Sequence, residues 1–468
     1  MTTRAIDPEV IQRLSKMSDL LVLTSAAIFI TLSNISHPDE VYAAGFFALL
    51  IAFSSLLAMR GLKLYAAPLW NQGLRTAVQA LAASASIGIV AYFLSGFVGL
   101  NLAPHWPLAW LTSCAVYFLL TRIGSWAWTR PLARSGALRK RIAIVGGGKA
   151  AEDAINLLEA SADVDADIVG LFDDRFDNRS PESVRKYHKL GRIGDLAGYA
   201  RKNRIDLVIV AIPMTAEQRL LQILKRLWEL PVDIRISAAA TELKLSPRAY
   251  TYLGDLPLLS VFERPLSGWD SFLKSVMDKI IAIAAIILLS PVMLAVALAV
   301  KLESKGPVIF RQKRFGFNNE LVEVFKFRSM YTDMTDAQAA KLVTKDDPRV
   351  TRVGRIIRKT SLDELPQLFN VLTGTLSLVG PRPHATQAKA AGTLYDEVVD
   401  GYFARHKVRP GITGWAQING WRGETDTREK LEQRVKHDLE YIDRWSLGLD
   451  LYILAKTPLA LLKSQNAY

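Results

Sequence analysis

Three observations predict an α-helical transmembrane bundle, then a doubly wound α/β domain, then a membrane-associated α/β domain with a re-entrant helix. Four apolar runs crowd the chain before Thr121. Strand and helix patterns alternate after them. A later apolar segment is interrupted by Ser290-Pro291 and flanked on both sides by basic residues. Half of the 468 residues are hydrophobic and 22% are charged, with mean hydropathy +0.16, which calls for separate membrane and soluble parts. The single cysteine, Cys114, lies in an apolar run, so a disulfide framework and a cysteine-based metal site are excluded. The net charge of +13 suits either anionic lipid head groups or a phosphate-bearing substrate. No aromatic-and-basic module of the nucleic-acid-binding kinds occurs, and no nucleic-acid partner is expected.

The apolar runs fall at about Leu20–Leu32, Val41–Leu57, Ala77–Leu100 and Leu108–Leu120. Each approaches the roughly 20 residues that a bilayer-crossing helix needs. Arg13 and Lys16 precede the first run and no clean small-residue cleavage site follows it, so it reads as a retained helix. Arg4, Arg13 and Lys16 precede span one; Arg60, Lys63 and Arg75 lie between spans two and three; Arg122, Arg130, Arg134, Arg139, Lys140 and Arg141 follow span four. The other two loops, Ser33–Glu40 and Asn101–Pro107, carry no Lys or Arg. This alternation places the N-terminus and everything after span four in the cytoplasm of a multi-pass inner-membrane protein. The expected bundle covers residues 1–135.

Residues 136–265 read as a second domain. The buried-strand pattern Arg141–Val145 runs into Gly146-Gly147-Gly148-Lys149-Ala150-Ala151 and an apolar-periodic helix. Strand, glycine turn and helix are the context in which a Gly-x-Gly-x-x-Ala run suggests a Rossmann-like, nucleotide-binding-type unit. Further strands at Ala166–Phe172 and Asp206–Ile212, with a helix at Glu217–Leu230, argue for a parallel sheet covered on both faces. Gly146, Gly148 and Asp173 are the candidate nucleotide contacts, with Asp173 or Asp174 on a ribose. The competing reading is that the glycines only permit close strand–helix packing. No proton-transfer pair accompanies them, so a nucleotide here would regulate or stabilise.

Ile280–Val300 is long enough to cross the bilayer, yet Ser290-Pro291 falls in its middle and proline removes a helical hydrogen bond there. Lys274 and Lys279 precede it; Lys301, Lys305, Arg311, Lys313 and Arg314 follow. A true crossing would send one basic cluster outside. A re-entrant helix over about 276–302, broken at Ser290 and Pro291 and returning to its own face, satisfies both observations. The Ser290 hydroxyl would partner a freed backbone group.

The remaining domain spans 266–468. In Phe325–Met330 polar and apolar residues alternate, putting Lys326 and Arg328 on one face of a strand. Arg358 precedes Thr360-Ser361-Leu362-Asp363-Glu364-Leu365-Pro366, and Gly380-Pro381-Arg382-Pro383 is a rigid turn presenting Arg382. Ser361 and Glu364 have the spacing of a helix capping box. Pro366 opposes that reading and moves the acids to the mouth of a helix, next to its positive end. Adjacent helical residues point about 100° apart, so Asp363 and Glu364 suit two different tasks: one as nucleophile, one holding a divalent cation. His384, His406 and His437 lack zinc spacing. The tail Trp445–Leu462 would lie on the membrane surface.

From about Lys274 onward the chain resembles the catalytic domain of the bacterial polyprenyl-phosphate hexose-1-phosphate transferases, long form. Ser290-Pro291, Lys326-Phe327-Arg328-Ser329-Met330, Ser361-Leu362-Asp363-Glu364-Leu365, Gly380-Pro381-Arg382-Pro383 and Arg409-Pro410-Gly411-Ile412-Thr413-Gly414-Trp415-Ala416-Gln417 carry the resemblance. It implies that Asp363 attacks the β-phosphorus of a UDP-sugar, that UMP leaves, and that undecaprenyl phosphate then takes the sugar phosphate from an aspartyl intermediate. That reaction opens exopolysaccharide, capsule or O-antigen synthesis. Glu364 would hold Mg²⁺, and Lys326, Arg328, Arg358 and Arg382 would clamp phosphate. Asp438 matches another acidic position of the family. Gly420–Thr427 with Pro383-His384-Ala385 resembles the glucose branch, with galactose-1-phosphate as the alternative. Two rivals are kept: a membrane-anchored NAD(P)-dependent nucleotide-sugar enzyme centred on the glycine turn, and a non-enzymatic lipid-binding scaffold. The sequence leaves room for a homo-oligomer and sets no subunit count.

Overall fold

A computed structural model describes residues 7–34, 40–65, 73–161, 166–175, 181–213, 215–239, 250–332, 347–384, 389–390, 393–395, 399, 402–423 and 427–463. Arg4, loop residues 35–39, Ala385 and residues 424–426, all used in the sequence reading, lie outside the described residues. The chain divides into two compact units, one up to Arg139 and one from Lys140 on.

The first unit is helical: α1 (Pro8–Leu32), α2 (Val41–Gly61), α3 (Leu74–Phe97), α4 (Trp106–Phe118) and α5 (Gly124–Arg134), the last two joined by a π-helical turn at Leu119–Ile123. Counting α4 to α5 as one stretch, four helices here are long and apolar enough to cross a membrane. Inward faces carry small residues: Ala44, Ala48, Ala52 and Ser55 on α2, and Ala77, Ala80, Ser84 and Gly88 on α3. That is how helices approach closely in lipid, where apolar burial gives no driving force. A Cβ on Gly88 would collide with the ring of Trp110, whose indole N–H donates to the Ser84 carbonyl at 2.9 Å. Bulky Phe46, Phe93 and Phe97 face outward. One buried polar network lies inside: Asp19 is paired with Arg122 and accepts from Tyr65 (2.6 Å) and Tyr117 (2.9 Å).

The second unit begins with a sheet built from β1 (Lys140–Val145), β2 (Ala166–Phe172), β3 (Ser183–Val184), β4 (Tyr187–Gly191), β5 (Leu207–Val210), β6 (Asp233–Ser237), β7 (Thr251–Leu253) and β8 (Leu256–Phe262). Their spatial order is β3-β4-β2-β1-β5-β6-β8-β7. The five central strands are parallel, as expected; the edges are antiparallel, which corrects the all-parallel expectation. Strands β7 and β8 fold back as a hairpin with no room for a crossover helix, so they can join only antiparallel. Helices α6 (Lys149–Ala160), α7 (Asp195–Lys202) and α8 (Glu217–Leu227) cover the sheet, and apolar clusters lie on both its faces.

A single helix, α9 (Gly268–Glu303), follows and is 36 residues long. The expected interruption at Ser290 and Pro291 is corrected: helical conformation runs through both. Pro291 lacks the N–H that would bond the Ile287 carbonyl, and the Ser290 hydroxyl donates to that carbonyl instead, at 2.8 Å. After α9 come the hairpin β9 (Ile309–Phe315) and β10 (Leu321–Phe327), then α10 (Arg352–Lys359), α11 (Gln367–Thr373) and β11 (Ser377–Val379). Strand β11 pairs in parallel with β12 (Gly411–Thr413), and α12 (Arg428–Asp443) and α13 (Leu447–Lys463) close the chain. Both halves of α9 pack on this part: Ala282 with Leu368 and Val371, and Met293, Val296 and Val300 with Phe327 and Ile357. Near its start, Lys274 bonds Asp450 at 2.6 Å and Ser377 donates to Asp278 at 2.7 Å.

Residues 136–265 and 266–468, expected as two domains, lie almost wholly within the compact unit from Lys140 on. The Lys407 ammonium lies 5.0 Å from the Trp228 ring and 5.7 Å from the Phe262 ring, and Asn318 donates to the Ala200 carbonyl at 3.1 Å.

Candidate active site

Thr351 caps α10 through the Gly354 N–H (2.9 Å), and α10 ends in Arg358 and Lys359. Ser361 then takes a left-handed conformation (φ 60°, ψ 16°), and Leu362–Glu364 forms a single 3₁₀ turn before Pro366 opens α11. The capping box is not made: Ser361 accepts no backbone N–H, and Glu364 points to cations instead. Proline at the helix cap gives up only an N–H that would be orphaned anyway. Leu362 and Leu365 anchor the turn in the apolar cluster around Phe327 and Ile357. Asn370 pins α11 to β10, donating to the Glu323 carbonyl (2.7 Å) and accepting from the Phe325 N–H (2.9 Å). That brace fixes Lys326 opposite the acids.

The two carboxylates stand in different states. Glu364 accepts from Lys326 at 2.9 Å and from both terminal nitrogens of Arg382, one at 3.1 Å. Burial would raise its pKa, but Arg382 and Lys326 outweigh burial and hold it well below the ordinary range. Asp363 is 9% exposed and its carboxylate accepts no hydrogen bond among the described residues. Burial pushes it up to about 6, against the pull of Lys326 and with the push of Glu364. The charges of Arg358 and Arg382 also reach Asp363.

The structure thus gathers Asp363, Glu364, Lys326, Arg358 and Arg382. Arg328, expected as a phosphate clamp, lies elsewhere. Its guanidinium donates to the carbonyls of Val300 (3.1 Å), Ser304 (2.6 Å) and Pro307 (2.6 Å), so it ties down the end of α9. The physical reason is that β10 stops at Phe327, and strand alternation with Lys326 ends there. Asp438 sits behind the site, paired with Arg405 at 2.6 Å, and Arg405 donates to the Arg382 carbonyl at 2.8 Å. Asp438 is thereby linked to the Arg382 turn through Arg405. In that turn Gly380 meets the strand from Arg409: a Cβ on Gly411 would collide with the Gly380 nitrogen, so only glycine lets the two turns touch.

Two cations of the site escape the sequence reading. Arg314 donates to the Pro383 carbonyl at 2.6 Å, and burial lowers its pKa to about 10. Arg422 donates to the Ser361 hydroxyl at 2.7 Å. In sequence Arg314 reads as a membrane flank, and Arg422 stands in a stretch assigned to sugar choice. Two-residue alternation with Gln312 along β9 is the available signal for the first.

In the α/β sheet, Gly146 (φ 112°) fits the packing reading: a Cβ there would lie 2.7 Å from the Ala211 carbonyl oxygen. Gly148 (φ 75°) precedes α6. Asp173, expected on a ribose, is held by Arg175, which reaches its carboxylate through the backbone N–H, Nε and Nη2 at 2.9–3.3 Å. Asp174 is held by Ile193 and Arg219.

Apolar helices joined to a pair of adjacent acids, one buried and one half-buried, ringed by guanidinium groups, define a membrane enzyme built for group transfer at phosphate. The family model described as bacterial sugar transferase matches residues 269–464, and one described as a CoA-binding domain matches 63–238. The chain is 41% identical over 363 residues to the undecaprenyl-phosphate glucose phosphotransferase of Komagataeibacter xylinus, which covers 77% of this chain and 66% of that protein, just under two thirds of its length. It is 36% identical over 376 residues to the UDP-glucose:undecaprenyl-phosphate glucose-1-phosphate transferase of Klebsiella pneumoniae, covering 80% of this chain and 79% of that one. It is also 47% identical over 189 residues to the UDP-N-acetylgalactosamine-undecaprenyl-phosphate N-acetylgalactosaminephosphotransferase of Aeromonas hydrophila, covering 40% of this chain and 43% of the other. The chain belongs to the bacterial sugar transferase family.

Proposed function

We propose that the enzyme transfers glucose-1-phosphate from UDP-glucose to undecaprenyl phosphate in two steps on Asp363, at the cytoplasmic face of a bacterial inner membrane, and so initiates exopolysaccharide, capsule or O-antigen synthesis. One observation carries the reading: adjacent acids in opposite states, half-buried Glu364 bonded to cations and buried Asp363 accepting no hydrogen bond among the described residues. A carboxylate that is unbonded and raised by burial is a better nucleophile than one already neutralised. In the first step an Asp363 oxygen attacks the β-phosphorus of the UDP-sugar. The bond from that phosphorus to the bridging oxygen breaks, and UMP leaves with the electron pair. In the second, an oxygen of the lipid phosphate attacks the same phosphorus and releases Asp363 as carboxylate. Lys326, Arg358, Arg382, Arg314 and Arg422 are the chain's groups for neutralising the non-bridging oxygens.

Mg²⁺ fits the donor set. A carboxylate offers about four lone-pair sites, and the three N–H contacts to Glu364 leave one open on Oε2. Among the described residues no three acids or histidines gather, so substrate and water oxygens would complete the shell, as magnesium commonly allows. The ion would supply charge neutralisation at the diphosphate.

The re-entrant reading of α9 draws support from its length and its attachments. A straight helix of that length would span about 54 Å. Both its ends join the same unit, Lys274 through Asp450 and Glu303 through the Val353 N–H at 3.1 Å. Re-entry then needs a proline bend in a continuous helix, not a break. In a chain lacking Cys114, single Asp270→Cys and Lys305→Cys variants are expected to resist an impermeant thiol reagent in intact spheroplasts and to react after lysis. Outside labelling of one site alone would make α9 a crossing helix.

The N-acetylgalactosamine relative matches at 47% identity, so similarity at that level does not fix the sugar. The deciding experiment presents purified enzyme with radiolabelled UDP-glucose or UDP-galactose, undecaprenyl phosphate and Mg²⁺. Glucose-dependent label in lipid with equimolar UMP is expected. A higher kcat/KM for UDP-galactose overturns the glucose assignment, and release of UDP instead of UMP overturns the reaction.

A further inference from the structure

Between β9 and β10 the chain turns at Gly316–Glu320, with Asn318 at φ 53° and Asn319 at φ 59°. Two consecutive left-handed residues are what a tight hairpin of the twisted kind demands, and glycine serves that purpose at least as well as asparagine. Here both asparagine side chains reach out, in different directions. Asn318 Nδ2 donates to the Ala200 carbonyl, in the last turn of α7, where helix carbonyls lack intrahelical partners. Asn319 Oδ1 bonds Nδ1 of His406, a ring only 3% exposed.

His406 in turn stacks on His384, with centroids 5.3 Å apart and planes 13° from parallel. His384 lies two residues from Arg382, within a cluster of Phe315, Tyr395 and Tyr402, and its carbonyl accepts from the Phe315 N–H at 3.2 Å. A continuous packed column therefore runs from α7 through Asn318-Asn319 and His406 to His384, in the turn that carries Arg382. Lys407, next to His406, is buried against Trp228 and Phe262 of the sheet domain. The column's far end is set by the sheet domain, and its near end by the Arg382 turn.

We propose that Asn318-Asn319 is a bracket through which the sheet domain positions Arg382, making Asn319 and His406 positioning residues for the transfer and the sheet domain a mechanical control on it. This rests on the transferase reading above. Displacements of the order of 1 Å at a clamp can cost about a hundredfold in rate, so a loosened bracket should be visible in kinetics while the fold persists.

Asn318→Gly and Asn319→Gly keep the turn conformation and remove one grip each. In the UDP-glucose assay each is expected to lower kcat about tenfold with little change in KM, and with a melting midpoint near that of the unmodified protein. Asn319→Asp keeps the acceptor and should restore kcat. His406→Phe keeps the stack, loses the hydrogen bond, and should match Asn319→Gly; the double variant Asn319→Gly/His406→Phe should be no worse than either single one. Asn319→Gly and His406→Phe at full kcat would overturn the bracket. Impairment by Asn319→Gly with Asn318→Gly unaffected would overturn control by the sheet domain. Additive losses in the double variant, or a kcat loss that only follows a fallen midpoint and is not restored by Asp, would reduce these residues to folding roles. An unmodified protein inactive on UDP-glucose would instead refute the substrate reading, and the same variants would then be ranked on whichever UDP-sugar it turns over.

Discussion

Replacing Asp363 with asparagine is expected to abolish sugar-phosphate transfer and, in the same protein, to raise thermal stability. Loss of a nucleophile that forms the covalent intermediate commonly costs about a thousandfold or more, and asparagine cannot replace it. The stability gain follows from the sign of the shift. Asp363 has a folded-state pKa raised to about 6 from 3.8, so above that value its buried charge destabilises the fold, by roughly 3 kcal/mol for a shift of that size. The penalty fades as pH falls from about 6 towards the unfolded value, because the unmodified carboxyl then takes up a proton and sheds its charge. In the D363N variant the melting midpoint should exceed that of the unmodified protein by a few degrees at about pH 8, and the difference should shrink at about pH 5. The same ionisation predicts that transfer by the unmodified enzyme falls with one-proton dependence as pH drops through about 6. Retained activity in D363N, or a lowered midpoint at the higher pH, would remove Asp363 from the role given to it.

Much of this arrangement is legible in sequence because its signals are local. Periodicity and loop charge locate the membrane helices, and the strand Ala166–Phe172 has the bounds expected for it. Pro366 places Asp363 and Glu364 at a helix mouth, where α11 begins. What is not legible depends on partners distant in sequence. Arg328 looks like a twin of Lys326, and only the end of α9, more than twenty residues upstream, claims its guanidinium. Asp173 looks available for a ribose until Arg175 turns back on it. Ser290-Pro291 reads as a break because proline's lost bond is a sequence fact, whereas the serine hydroxyl that replaces it is a fact of side-chain rotation. Arg422 reaches Ser361 across 61 positions, a distance that no periodicity reports.

The neighbouring acid should behave in the opposite way. Glu364→Gln puts an amide where Lys326 and Arg382 present three N–H contacts. The amide NH₂ is itself a donor, so at least one contact becomes donor against donor, and two half-buried cations lose their countercharge. Breaking a fully buried pair by removing one partner costs about 3–5 kcal/mol, and this half-buried cluster lies below that range. Because the folded-state pKa of Glu364 is depressed, its contribution is fully present above the unfolded value and is lost only as pH falls through the folded one. The midpoint of E364Q should therefore lie several degrees below that of the unmodified protein, by an amount nearly constant from about pH 8 to about pH 5. D363N, over the same range, should move from a gain towards none. Transfer by E364Q should fall roughly a hundredfold or more through a displaced Arg382 and the loss of the metal ligand proposed at this position. Glu364→Asp, which keeps the charge on a shorter stem, should recover part of the midpoint and little of the rate, since stability needs the charge whereas transfer needs its position. A midpoint for E364Q equal to or above that of the unmodified protein would mean that the two cations are neutralised by something other than Glu364, and the division of labour between the adjacent acids would fall with it.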